Sequence, residues 1–101
     1  KMDLENDQTF DSLFFMEEKI TSEALERAVP RLFADKSCGE VFRIKGFVKN
    51  KDGQWMELNA THDSRTLDPI AVGQEVLIVI GEHLQEDKIR EILKEEETCQ
   101  S

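Results

Sequence analysis

The chain has 101 residues with 13 basic and 22 acidic side chains, a formal charge of −9. That length fits one domain and is too short for a two-domain enzyme. With 39% hydrophobic and 35% charged residues the composition is globular, neither disordered nor membrane-embedded. The acidity weighs against a nucleic-acid partner, whose phosphates are held by clustered Lys and Arg.

Residues 1–8 are polar and read as a linker or disordered terminus, and the opening Lys1-Met2 reads as a cut within a longer protein. Residues 9–16 are rich in strand formers, with Phe10, Ser12, Phe14 and Met16 on one face. A helix follows. Thr21 is its expected N-cap, Ile20 and Leu25 form a hydrophobic staple, and Leu25, Ala28, Val29, Leu32 and Phe33 make one buried stripe. Pro30 is expected to kink this helix or begin a second short turn, and Gly39 to stop it.

Residues 41–49 and 54–61 read as two strands around Asn50-Lys51-Asp52-Gly53. Phe42, Ile44 and Val48 share a face with Met56, Leu58 and Ala60 only if Val48 pairs with Met56. That pairing requires a type I turn with Gly53 left-handed as a bulge. Residues 65–70 read as a short edge strand blunted by Pro69. Gly73 then turns into residues 75–80, apolar on both faces and so expected to be a central, covered strand ended by Gly81. Leu84 and Ile89 staple a last helix that buries Ile89, Ile92 and Leu93, and residues 95–101 read as an acidic flexible tail. The fold class is α+β, a two-layer sandwich in the order β-α-β-β-(β)-β-α. It has a mainly antiparallel sheet of four to five strands with two helices on one face, over residues 9–94. The longest apolar run, Val76-Leu77-Ile78-Val79-Ile80, falls far short of the roughly 20 residues of a membrane span.

Catalytic and metal signals are sparse. The five glycines lie scattered at turns and form no phosphate loop. His62-Asp63-Ser64 holds triad residue types, but chain neighbours do not face one another as a triad must, and the segment reads as a solvated loop. His62, His83, Cys38 and Cys99 have no partner at ligand spacing, and the cysteines read as reduced thiols of a cytoplasmic protein.

The hairpin is more informative. Arg43, Lys45, Lys49 and Lys51 give residues 41–51 a charge of +4, which leaves −13 for the remainder of the −9 total. Its non-core face carries Arg43, Lys45, Phe47 and Lys49 beside Trp55, Glu57 and Asn59. Two helices cover one face of the sheet, so Phe47 and Trp55 are expected on the open one, joined by Leu13, Phe15, Leu77 and Val79. An apolar patch rimmed by cations indicates docking, against the alternative that lysine stems cover it, with Lys49 packed on Trp55. Arg43, Lys45, Phe47, Lys49, Trp55 and Glu57 are therefore the candidate partner contacts. Lys45-Gly46-Phe47 also echoes an RNA-recognition strand, but the next aromatic is missing and the helix order differs.

The segment Val41-Phe42-Arg43-Ile44-Lys45-Gly46-Phe47-Val48, then Trp55 past a hairpin turn, then Val76-Leu77-Ile78-Val79-Ile80-Gly81 before a last helix, resembles the C-terminal domain of CobW-type GTPases. The resemblance spans about residues 9–93. Where members often carry a His before the Ile-Gly strand, this chain has Gly73-Gln74-Glu75. It implies a non-catalytic docking or regulatory domain of a cytoplasmic, GTP-dependent metal chaperone or insertase. Such proteins are linked to cobalamin synthesis, nitrile hydratase activation and zinc or cobalt handling. It further implies that GTP and a divalent metal belong to an N-terminal GTPase domain. That domain is then the partner here, with a metalloprotein client beyond it and no nucleic acid or membrane. The alternatives are a stand-alone interaction module using the Arg43/Lys45/Phe47/Trp55 face, a small enzyme around His62, Asp63 and Asp68, and, ranked below the first, an RRM-like nucleic-acid binder.

Overall fold

The computed structural model of the chain describes residues 10–16 and 20–98. In chain order the elements are β1 (Asp11–Phe15), α1 (Ser22–Ala34), a 3-10 turn (Lys36–Cys38), β2 (Glu40–Lys49), β3 (Trp55–Ala60), β4 (Arg65–Pro69), β5 (Val76–Glu82) and α2 (Glu86–Thr98). The strands form one antiparallel sheet ordered β1-β5-β2-β3-β4. Leu25, Ala28, Leu32, Ile89 and Leu93 from the helices share a single core with Ile44, Leu58, Leu77 and Val79 from the sheet. Both helices thus lie on one face, the expected two-layer α+β arrangement. Among the described residues no element covers the other face.

The β2–β3 hairpin has the expected register, with Val48 opposite Met56 and Lys49 opposite Trp55. Gly53 sits at φ +88°, and its N–H donates to the Asn50 carbonyl at 2.9 Å. The Asn50 side-chain oxygen accepts from the N–H groups of Asp52 and Gln54, each at 2.9 Å. Local side-chain bonding of this kind makes Asn a turn initiator, and the left-handed residue after it favours glycine.

α1 begins as expected, with the Thr21 hydroxyl accepting from the Ala24 N–H at 3.2 Å, a cap worth about 1 kcal/mol. Pro30, expected to kink the helix or begin a second turn, does not divide it: α1 runs unbroken from Ser22 to Ala34. A proline lacks the N–H that would bond the carbonyl four residues back. Here that carbonyl, of Glu26, is approached instead by Arg65 Nη1 at 3.5 Å. Gly39 ends the 3-10 turn, whereas α1 itself ends at Ala34 with the Asp35 N–H on the Arg31 carbonyl at 2.9 Å.

β2 carries a bulge. Val41 pairs with Gly81, but Arg43 pairs with Ile80, leaving Phe42 as the extra residue. Val41 and Ile44, three apart, are both buried, and Phe42 leaves the core set in which it was expected. Its ring meets Phe10 edge-on at a centroid distance of 5.1 Å. Gly81 does not end β5, which continues to Glu82. β5 lies between β1 and β2, internal as expected but covered on one face only. A Cβ at residue 81 would collide with the Glu40 carbonyl oxygen. Gly81→Ala is therefore expected to cost about 2–3 kcal/mol of stability, measured by urea unfolding.

α2 extends through Glu95, Glu96 and Glu97 to Thr98, so these residues are helix rather than tail; residues 1–9 and 99–101 lie outside the described residues. Two arginines of α1 hold the extension. Arg27 Nε lies 3.0 Å from Glu96 Oε1, Arg31 Nη1 3.0 Å from Glu96 Oε2, and Arg31 Nη2 2.8 Å from Glu95 Oε1. Hydrogen bonds from Arg31 and then Arg27 lower the Glu96 pKa below the ordinary glutamate value of 4.5. A carboxylate stabilised in the folded state contributes fully above its unfolded pKa and loses that contribution as pH falls through the lowered value. Glu96→Gln should lower Tm by a few degrees at pH 7, and the difference should close as thermal melts are taken from pH 5 towards pH 3.

Candidate interaction face

Each strand sorts its side chains alternately to the two faces, and the pairings decide which sets coincide. Beyond the Phe42 bulge, odd-numbered residues of β2 stand opposite even-numbered residues of β5: Arg43 with Ile80, Lys45 with Ile78, Phe47 with Val76. β1 follows, with Ser12 beside Ile80 and Phe14 beside Ile78. The open face therefore unites Arg43, Lys45, Phe47, Lys49, Trp55 and Glu57, as expected, but its apolar neighbours are Phe14, Val76, Ile78 and Ile80. Leu13, Phe15, Leu77 and Val79, expected there, belong to the helix-covered side, where the last three are buried and Leu13 packs on the core.

The cations of β2 are partly engaged. Lys45 Nζ lies 3.7 Å from Glu57 Oε2 and 5.4 Å above the Phe47 ring. Lys49 Nζ lies 5.2 Å above the Trp55 ring. At such exposure a cation–π contact is worth about 0.5–1 kcal/mol, enough to bias these lysines over the rings without locking them. Arg43 Nη2 donates to Asn59 Oδ1 at 3.3 Å, and Asn59 Nδ2 donates to Glu57 Oε2 at 3.3 Å. Glu57 stands directly opposite Asp68 on β4, a like-charge pair that the nearby Lys45 offsets.

Trp55 is shielded further by the loop after β4. The Ile70 N–H donates to the Trp55 carbonyl at 3.0 Å, and Gln54 Nε2 to the Ile70 carbonyl at 3.0 Å. Gly73 packs against the indole so closely that an added Cβ would sit 3.0 Å from its Cε3. Phe47 and Trp55 are thus half-buried. The exposed apolar surface lies beside them: Phe14 is 59% exposed, Met16 51% and Val72 75%. Together with Phe47, Gly73 and Val76 they line a shallow groove of about 540 Å³ at the β1 side of the face. Sequence reasoning missed this groove, although the grouping of Phe10, Ser12, Phe14 and Met16 on one side of a strand was its signal.

The remaining candidates are dispersed. His62 lies in the turn between β3 and β4, its ring 4.8 Å from that of Phe33, and the Thr61 N–H bonds to the Ser64 carbonyl across the turn at 2.8 Å. His83 follows β5 at φ +55°. Cys38 is buried, and desolvation pushes its thiol pKa up. Cys99 lies outside the described residues. Among the described residues no three His, Cys, Asp or Glu side chains gather to hold a metal, and no helix is long and apolar enough to cross a membrane.

The fold is thus an antiparallel α+β sandwich with one sheet face that no helix covers. The cobalamin synthesis protein cobW C-terminal domain family matches residues 10–97, and the chain belongs to that family. Among solved structures, the Zn(II)-bound YjiA GTPase from E. coli superposes with a TM-score of 0.65 at 16% identity. A Zn(II)-bound triple mutant of the YjiA GTPase superposes with the same TM-score at 14% identity. Both likenesses cover 85% of this chain and 29% of the other, so the chain spans less than a third of the length of the proteins it resembles. No curated protein matches it.

The facing of β1 is directly testable. Phe14→Ala should change stability by no more than about 0.5 kcal/mol, whereas Phe15→Ala should cost about 3–4 kcal/mol in urea denaturation. A larger loss at residue 14 would contradict the face assignment.

Proposed function

We propose that this domain is the docking and regulatory part of a CobW-type, GTP-dependent metal chaperone or insertase, and that its open sheet face is the contact. The observation that carries the reading is the exposed groove of Phe14, Met16 and Val72 beside Phe47, on the same sheet face as Arg43, Lys45 and Lys49. Apolar surface left bare on an otherwise charged domain favours burial against a partner. Family membership, and the likeness to a GTPase described as Zn(II)-bound, support the setting. In this reading GTP and a zinc or cobalt ion are held by an N-terminal GTPase domain of a cytoplasmic protein, and a metalloprotein client receives the metal. The present domain does no chemistry. It acts by binding one nucleotide state of the GTPase domain better than the other, which shifts the balance between them by that difference in affinity.

The test uses the intact protein that carries this domain. Lys45→Glu combined with Trp55→Ala should loosen the two domains, seen as faster proteolysis between them. It should also change GTP turnover by about fivefold or more, the range of a typical coupling energy. Unchanged proteolysis and unchanged turnover would end the proposal.

A further inference from the structure

Side chains of the open face fall into three columns of different chemistry. β1 and β5 supply Ser12, Phe14, Val76, Ile78 and Ile80, with Glu82 at the far end of β5; β2 supplies Arg43, Lys45 and Lys49 around Phe47; β3 and β4 supply Trp55, Asn59 and Glu57 opposite Asp68. The apolar column is therefore bordered by cations on its inner side, with Glu57 and Asp68 on the strands beyond. Among the described residues neither Arg43 nor Lys49 has a carboxylate within ion-pair distance: Arg43 bonds the Asn59 amide and Lys49 rests on an indole. Both keep an uncompensated charge in a molecule whose total is −9.

We infer that the open face receives an acidic amphipathic helix lying along β5, its apolar stripe on Phe14, Val76 and Ile78 and its carboxylates towards Arg43, Lys45 and Lys49. The inference rests on the docking reading above and adds the chemistry of the docked segment, which under that reading comes from the GTPase domain.

Dimensions favour a helix. β1 to β2 spans two inter-strand spacings, roughly 10 Å, close to the diameter of a helix with its side chains. The seven residues of β5 run about 23 Å, the length of a helix of about 15 residues. Charge favours an acidic one. Carboxylates placed over β2 meet three cations, whereas the same helix shifted towards β3 and β4 would meet Glu57 and Asp68. The chain outside residues 41–51 sums to −13, so the electrostatics favour this site and this orientation over the rest of the surface.

The probe is a synthetic helical peptide of about 18 residues with Leu at i, i+3, i+4 and i+7 spacing and Glu flanking the stripe, paired with a counterpart carrying Lys for every Glu. Each is titrated into the isotopically labelled 101-residue chain by NMR. The Glu peptide should shift amides of β1, β5 and β2, lose about tenfold in affinity against Arg43→Glu/Lys45→Glu, and weaken with added salt. Arg43→Gln/Lys45→Gln gives the same direction of change if the reversed pair fails to fold. Equal binding of the Lys peptide, shifts centred on the helices, or no binding at millimolar peptide would each overturn the inference. If the Glu peptide binds while Lys45→Glu/Trp55→Ala leaves the intact protein unchanged, intramolecular docking fails and the preference for an acidic helix stands. If the intact protein responds but the Glu peptide does not bind, docking stands and this inference falls.

Discussion

A single extra residue in β2 sets the character of both faces of this sheet. Ahead of Phe42 the β2–β5 ladder pairs Val41 with Gly81; had that register continued, Arg43 and Lys45 would share their face with Val79 and Leu77. The bulge moves the ladder by one position, and every side chain of β5 changes sides relative to β2. Leu77 and Val79 then enter the core beside Ile44, while Val76, Ile78 and Ile80 come to lie alongside the cations. β1 inherits this assignment through β5, which is why Phe15 is buried and Phe14 is not. That the groove and the cations share a face is thus a product of one irregularity two strands away from Phe14.

Much of the architecture was legible because several local rules agreed. The hairpin register followed from two independent constraints, apolar parity and the Asn-Lys-Asp-Gly turn, and Thr21 with Ile20 and Leu25 located the first helix start. What could not be read depends on contacts distant in sequence. β5 is apolar on both faces, so its pattern carries no information about which set is buried, and no composition rule places a bulge at Phe42. Glu95–Glu97 looks like a soluble ending until Arg27 and Arg31 arrive from more than sixty positions away. Pro30 is a helix breaker by local rules, yet the carbonyl it orphans finds a side-chain donor from β4. The six candidate contacts did prove to share one face, but the exposed apolar groups of the groove, Phe14, Met16 and Val72, come together only through a sheet order that puts β1 beside β5.

The face also shows how a small domain can keep aromatic side chains at its surface and remain a defined fold. Lys45 and Lys49 lay their stems and charges over Phe47 and Trp55, and the Gly73 loop shields the indole from another side. Such cover is removable at low cost, since each cation–π contact is worth no more than about 1 kcal/mol at this exposure. The core opposite is different in kind: Leu25, Leu32, Ile44, Leu58, Leu77, Ile89 and Leu93 are fully buried, and deleting any one removes several contacts at once. The domain therefore divides into a densely buried half under the helices and a lightly covered half facing outward.

Cys38 offers a measure of motion in the buried half. Its side chain is fully enclosed, while its carbonyl accepts the Gln85 N–H at 3.0 Å, one residue before α2. A thiol so enclosed meets an alkylating reagent only when the structure around the 3-10 turn opens locally. The labelling rate of Cys38 consequently counts those openings, a built-in clock for local exposure beside the start of α2.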